Sequence, residues 1–104
     1  MTVIITGNPR GGTTCVARVV NALGIPVFRD QEYTMDWGKM HKALVAGQWD
    51  VVSHLLSPHK SQTWGFKLAG VFGHLVGHLD AFEEPKIIYV VRDPIANADS
   101  IRRH

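Results

Sequence analysis

Disulfides are excluded by count. The chain of 104 residues holds one cysteine, Cys15, so no internal crosslink can form. Cysteine usage gives no sign of an oxidising compartment. There is no apolar run of membrane-spanning length, and no basic segment followed by an apolar stretch of signal-peptide length. These absences set the expectation of a cytoplasmic protein with no membrane partner. Charge is scarce too. Charged residues make up 19% of the chain and the formal net charge is only +2, too little to argue for a nucleic-acid partner. The basic residues are better read singly, as anion ligands. With 45% hydrophobic residues the chain can build a core, which excludes disorder. Repeats, linkers and low-complexity segments are missing, so residues 1–104 are expected to form a single domain.

What is present starts with Val3-Ile4-Ile5 running into Thr6-Gly7-Asn8-Pro9-Arg10-Gly11-Gly12-Thr13-Thr14. A β-branched run, a glycine-rich loop and a helical pattern form the layout of a phosphate-binding loop. Glycines let the backbone turn and aim N–H groups at an anion. The following helix points its positive end at the same spot. Gly7, Gly12 and Thr14 match the spacing of nucleotide-triphosphatase loops, but Thr13 stands where those loops carry lysine. The nearest cation is upstream, at Arg10. A loop without that lysine suits a smaller anionic group, such as a phosphosulfate.

The rest of the chain alternates strands and helices. Residues 2–6, 63–68 and 86–91 read as buried strands. Residues 13–23 read as a helix with Cys15, Val16, Val19, Val20 and Leu23 facing the sheet, stopped by Gly24 and Pro26. Two helices are expected over 35–46 and 49–57, with Gly47 between them. A further amphipathic helix is expected over 71–82, with Val71, Phe72, Leu75, Val76, Leu79 and Phe82 on one face. Asp93 and Pro94 suit the cap and first position of a last helix. Such alternation predicts an α/β fold with a parallel sheet and right-handed crossovers. Ligands then bind beyond the carboxyl ends of the strands.

Pro9-Arg10-Gly11-Gly12-Thr13-Thr14 resembles the Pro-Lys/Arg-Ser-Gly-Thr-Thr loop of sulfotransferases that use 3′-phosphoadenosine 5′-phosphosulfate (PAPS). Gly11 stands at the usual serine. Ile87-Ile88-Tyr89-Val90-Val91-Arg92-Asp93-Pro94, continuing to Ser100, resembles the family's 3′-phosphate site. That site is a strand ending in Arg, then a helix with Ser eight positions after it, the spacing of Arg92 and Ser100. Trp64-Gly65-Phe66-Lys67 resembles the lysine-bearing strand of many bacterial members. The motifs follow the family's order and cover nearly the whole chain. They span only the N-terminal part of a typical family domain. Arg102-Arg103-His104 falls inside the expected last helix, where members continue with a segment that helps hold the nucleotide.

The resemblance implies a three-layer α/β/α fold of the P-loop nucleotide-binding type, incomplete at the C-terminus. It implies a sulfotransferase with PAPS as co-substrate and a small-molecule or glycan acceptor bearing a hydroxyl or amine. Pro9, Arg10, Gly11, Gly12, Thr13 and Thr14 would hold the 5′-phosphosulfate. Arg92 and Ser100 would hold the 3′-phosphate. Arg10 and Lys67 would stabilise charge during transfer, with Lys67 at the bridging oxygen. Glu32 would take the acceptor proton, and no metal would be needed.

Plainer roles stand beside these. Arg92 is also suited to a surface ion pair with Asp93 or Asp99. Lys67, near the end of a buried strand, needs a charged partner or the ligand crevice, or else snorkels to solvent. Glu32 and Asp36 lie where the family places acceptor-binding and sometimes basic residues, but equally suit a solvated loop. His41 is a further candidate base. His74 and His78 have helical i, i+4 spacing but no third metal ligand. Cys15 is expected in the core as a small hydrophobe. Two other functions stay open: a nucleotide kinase or triphosphatase relative, and a non-catalytic nucleotide-binding remnant.

Overall fold

Residues 1–8 and 12–91 are described by the computed structural model. Its elements are β1 (Thr2–Gly7), α1 (Thr13–Ala22), α2 (Gly38–Val45), α3 (Trp49–Leu56), β2 (Trp64–Lys67), α4 (Phe72–Leu75) and β3 (Pro85–Val90). Short 3₁₀ turns occupy Ser57–His59 and Leu79–Ala81. The strand order is β2-β1-β3, and both pairings are parallel. The expected α/β class and parallel sheet are therefore present.

β1 is buried along its whole length because helices cover both its faces. Val3 and Ile5 pack with Ala17 and Val20 of α1. Ile4 faces the other way, with Met40 and Leu44 of α2, Val52 of α3, and the Trp37, Trp64 and Phe66 rings. The alternation is the two-residue period of a strand. Each of these buried apolar side chains contributes about 1.5–3 kcal/mol relative to exposure. At the carboxyl end of the sheet, Gly7 stands opposite Val90 and Ile5 opposite Lys67.

Helix α2 starts where Asp30 reaches it. The Gly38 and Lys39 N–H groups donate to Oδ1 and Oδ2 of Asp30 at 2.7 and 3.0 Å. This carboxylate does the work of an N-cap from eight residues upstream. Burial pushes the Asp30 carboxyl up, but these N–H bonds, with Gln31 and the Lys39 charge, outweigh that and hold it below its ordinary range.

Three expectations are corrected. The helix over 71–82 shrinks to the single turn of α4 and a 3₁₀ turn. Val76 is already extended, with ψ of 128°. Gly73 and Gly77 lower helix propensity through this stretch, and the apolar spacing does not overcome them. Val71, Leu75 and Phe82 are still buried, while Phe72 and Val76 are exposed. The inward face of α1 matches the expected stripe only at Val20 and, in part, at Val16. Thr13, Ala17 and Val20 are buried, whereas Cys15, Val19 and Leu23 are exposed. The small Ala17 is fully buried and packs with Val3 and Ile5 of β1. Finally, β3 is half exposed rather than buried. It flanks β1 at the edge of the described sheet, and α1 lies over β1 and β2.

Candidate functional site

Two strands end and one helix begins at the same place. β1 finishes at Gly7, β2 at Lys67, and α1 opens at Thr13. Gly7 permits the crowding. A Cβ there would lie 2.5 Å from the Val90 carbonyl oxygen. Gly12 precedes α1 with φ of 91°, in the left-handed region that other residues enter at a cost. Among the described residues no side-chain hydrogen bond caps α1, and its first turn carries no acid. The orphan N–H groups and positive end of this ten-residue helix are thus suited to an anion.

Lys67 reaches this helix end from β2. Only 3% of the residue is exposed. Its Nζ donates to Thr14 Oγ1 at 3.1 Å and to the Thr34 carbonyl at 2.9 Å. Asp36 Oδ1 lies 2.8 Å from the same nitrogen. An ammonium has three protons, and three acceptors account for them. Of the options open in the sequence, a charged partner is supplied by Asp36, from the segment between α1 and α2, and snorkelling is excluded by burial. The Thr14 hydroxyl accepts from Lys67 and donates to the Thr34 carbonyl at 3.1 Å. Its proton is committed to that carbonyl. In this arrangement the backbone N–H groups at the start of α1, rather than the Thr14 hydroxyl, are the donors suited to an anion.

The strap that carries Asp36 is tied down at several points. Arg18 of α1 donates to the Tyr33 carbonyl at 2.8 Å. Asp36 bridges to Lys67 in parallel and to Gln31 in antiparallel fashion. Between Thr34 and Asp36, the buried Met35 turns the chain at φ of 64°.

Glu32 is placed elsewhere. Arg29 Nε and Nη2 donate to its two oxygens at 2.8 and 3.0 Å. The Arg29 hydrogen bond, opposed by slight desolvation and helped by the Arg29 and Arg18 charges, holds the Glu32 carboxyl below its ordinary range. Among the described residues, Glu32 makes no bond to Lys67 or Thr14. It lines a concavity of about 410 Å³ with Asn21, Gln62 and Trp64, the last of these at the amino end of β2. A second concavity, of about 290 Å³, is walled by Phe28, Trp37, Leu55 and His59. Neither includes a described residue of the Gly7–Thr14 loop.

Pro9, Arg10, Gly11, Arg92 and Ser100 lie outside the described residues, as do Asp93 and Pro94. The chain leaves β3 at Val90, paired with Gly7, two positions before Arg92 in sequence. On the other face of β1, Thr6 is fully buried and its hydroxyl has no partner among the described residues. His41 is an exposed residue of α2. His74 and His78 do not share a helix face, because α4 ends at Leu75. The His78 ring instead stacks on Trp49 with centroids 4.3 Å apart.

Sequence reasoning missed two contacts. The Asp36–Lys67 pair joins residues 31 positions apart, and the Thr34 carbonyl carries no side-chain signal at all. One signal did exist: a lysine in a buried strand demands a counter-charge, and Asp36 is one of three acids, with Asp30 and Glu32, in the segment between α1 and α2. Comparison with protein-family models, curated proteins and solved structures finds no match for this chain.

Proposed function

We propose that this chain is a P-loop sulfotransferase that binds PAPS and transfers its sulfuryl group to an acceptor hydroxyl or amine. One observation carries the proposal. The ammonium of Lys67 is fixed 3.1 Å from Thr14 Oγ1, beside the uncapped start of α1 and at the carboxyl end of the sheet. Helix dipole, free N–H groups and a buried cation converge there, which is the electrostatics that an anionic transferring group needs.

The α1 N–H groups and Arg10 hold the 5′-phosphosulfate. Arg92 and Ser100 hold the 3′-phosphate, following a strand that pairs with β1 up to Gly7. The acceptor oxygen or nitrogen attacks sulfur in line. The bond from sulfur to the phosphate oxygen breaks, and the nucleotide leaves with that electron pair as 3′-phosphoadenosine 5′-phosphate. Positive charge at Lys67 and Arg10 stabilises the leaving oxygen. Direct contact between Lys67 and that oxygen requires the ammonium to exchange one of its three present partners. The acceptor proton goes to a base. Glu32, in its Arg29-bound form, is poorly suited to that task, because its lowered proton affinity weakens general-base catalysis.

A triphosphate-hydrolysing relative is less favoured. Thr13 replaces the lysine of that loop, and the Lys67 ammonium already fills the space between the Thr14 hydroxyl and the Asp36 carboxylate. The test is incubation with PAPS carrying radioactive sulfur and a panel of phenols, sugars and amines. Acceptor-dependent release of the bisphosphate nucleotide, with label on the acceptor, is expected. Label released only to water, or ATP turnover without sulfuryl transfer, would contradict the assignment.

A further inference from the structure

We propose that Asp36 is the positioning residue of the site: it fixes the Lys67 ammonium behind Thr14, so that the loop meets its anion with a resident positive charge. The inference rests on the anion-binding role of the loop. Four observations carry it. The Asp36 Oδ1 to Lys67 Nζ distance is 2.8 Å, the shortest of the three contacts that Lys67 makes. Lys67 is nearly inaccessible, and a buried ammonium is costly without a counter-charge. Met35 holds a left-handed backbone, φ of 64°, although its side chain is buried. That turn brings the Thr34 carbonyl and the Asp36 carboxylate onto one nitrogen. Backbone strain of this kind persists where surrounding contacts enforce it. Fourth, the other end of the ammonium is Thr14, in the first turn of the helix whose N–H groups face the anion.

A role in positioning differs from a role in stability by its selectivity. The charge of Lys67 lies at the end of the site that takes the 5′ group. Its displacement weakens ligands with a 5′-phosphate and spares contacts made by a 3′-phosphate.

The experiment is calorimetric titration of wild type, Asp36→Asn and Asp36→Glu with AMP, adenosine 3′-monophosphate and 3′-phosphoadenosine 5′-phosphate, alongside thermal unfolding of each. Asp36→Asn is expected to lose about tenfold in affinity for AMP, because an ammonium no longer held beside Thr14 costs more than removal of a nearby negative charge gains, and tighter AMP binding overturns the inference. Its affinity for the 3′-monophosphate should be unchanged. Asp36→Glu keeps the charge and should recover part of the AMP affinity. Equal loss for both monophosphates, matched by a fall in the unfolding temperature, makes Asp36 a structural residue and overturns the inference. Unchanged AMP affinity in Asp36→Asn overturns it as well, while leaving the loop's role intact. If wild type binds none of the three nucleotides, the sulfotransferase assignment fails, and the role of Asp36 fails with it. Should Asp36→Asn not fold, Asp36→Glu decides alone. A selective change in AMP affinity supports positioning, and no change opposes it.

Discussion

Lys67 and Thr14 are 53 positions apart in sequence, yet the lysine ammonium donates to the threonine hydroxyl at 3.1 Å. The contact joins the end of β2 to the start of α1. It makes Lys67 both a structural and an electrostatic part of the site, and the two roles can be separated.

Lys67→Met should lower stability. The substitution keeps the buried stem but removes one of the two donors to the Thr34 carbonyl, leaving the Thr14 hydroxyl, and removes the partner of Asp36. A fully buried pair broken on one side costs several kcal/mol, but the Asp36 side chain is 33% exposed and water can solvate it. The expected loss is about 2 kcal/mol in urea unfolding, near the lower end of the range for such changes. A stability equal to wild type would mean that Asp36 and Thr34 find other partners.

Two glycines should behave oppositely. In Gly7→Ala the new Cβ meets the Val90 carbonyl at 2.5 Å, and both partners are backbone in a paired sheet. A loss of about 1–3 kcal/mol is expected, as for other overpacked sites. In Gly73→Ala the Cβ meets nothing within 4 Å, and the residue lies in α4. Helix propensity then predicts a gain of up to about 1 kcal/mol. Denaturant midpoints of the two variants check both signs.

Asp30 gives the acid limb of stability a defined contributor. Its folded pKa lies below its unfolded value, because the N–H bonds at the start of α2 outweigh burial. A lowered carboxylate stabilises fully above its unfolded pKa, and the contribution is lost as pH falls through the folded pKa. Asp30→Ala should therefore cost about 1 kcal/mol near neutral pH, as for other lost caps. The gap from wild type should close below the ordinary carboxylate range. A gap constant from neutral pH down to strong acid would show that the carboxylate charge is irrelevant to the cap.

The strands were legible because their signal is local. Val3-Ile4-Ile5 and Ile87-Ile88-Tyr89-Val90 are short β-branched or aromatic runs bounded by glycine or proline, and both form strands of the sheet. Helix α1 was legible as an element but not in orientation. Of the expected stripe, Val20 is buried and Val16 packs against the same cluster, while Cys15, Val19 and Leu23 are exposed and Ala17 faces β1 instead. The 71–82 helix failed where periodicity and propensity disagreed, at Gly73 and Gly77. Within the described residues, the burial of Lys67 at the end of a strand could be read directly. The pairing of Lys67 with Asp36 could not, because it depends on how the 28–36 segment returns along β2 through bridges at Val27 and Asp36. Glu32 and Asp36 looked alike in sequence. The fold gives one to Arg29 and the other to Lys67.

The most direct test of the central claim is calorimetric titration of the wild-type chain with 3′-phosphoadenosine 5′-phosphate, AMP and ATP, each with and without a metal chelator. Two separate anion motifs should recognise two separate phosphates, so the bisphosphate should bind more tightly than either AMP or ATP. One charge-assisted contact to the 3′-phosphate is worth about 1.5–3 kcal/mol, or roughly tenfold or more in affinity. With the Lys67 ammonium fixed between Thr14 and Asp36, the chelator should change nothing. Equal affinity for AMP and the bisphosphate, or tighter binding of ATP that the chelator abolishes, would contradict the account.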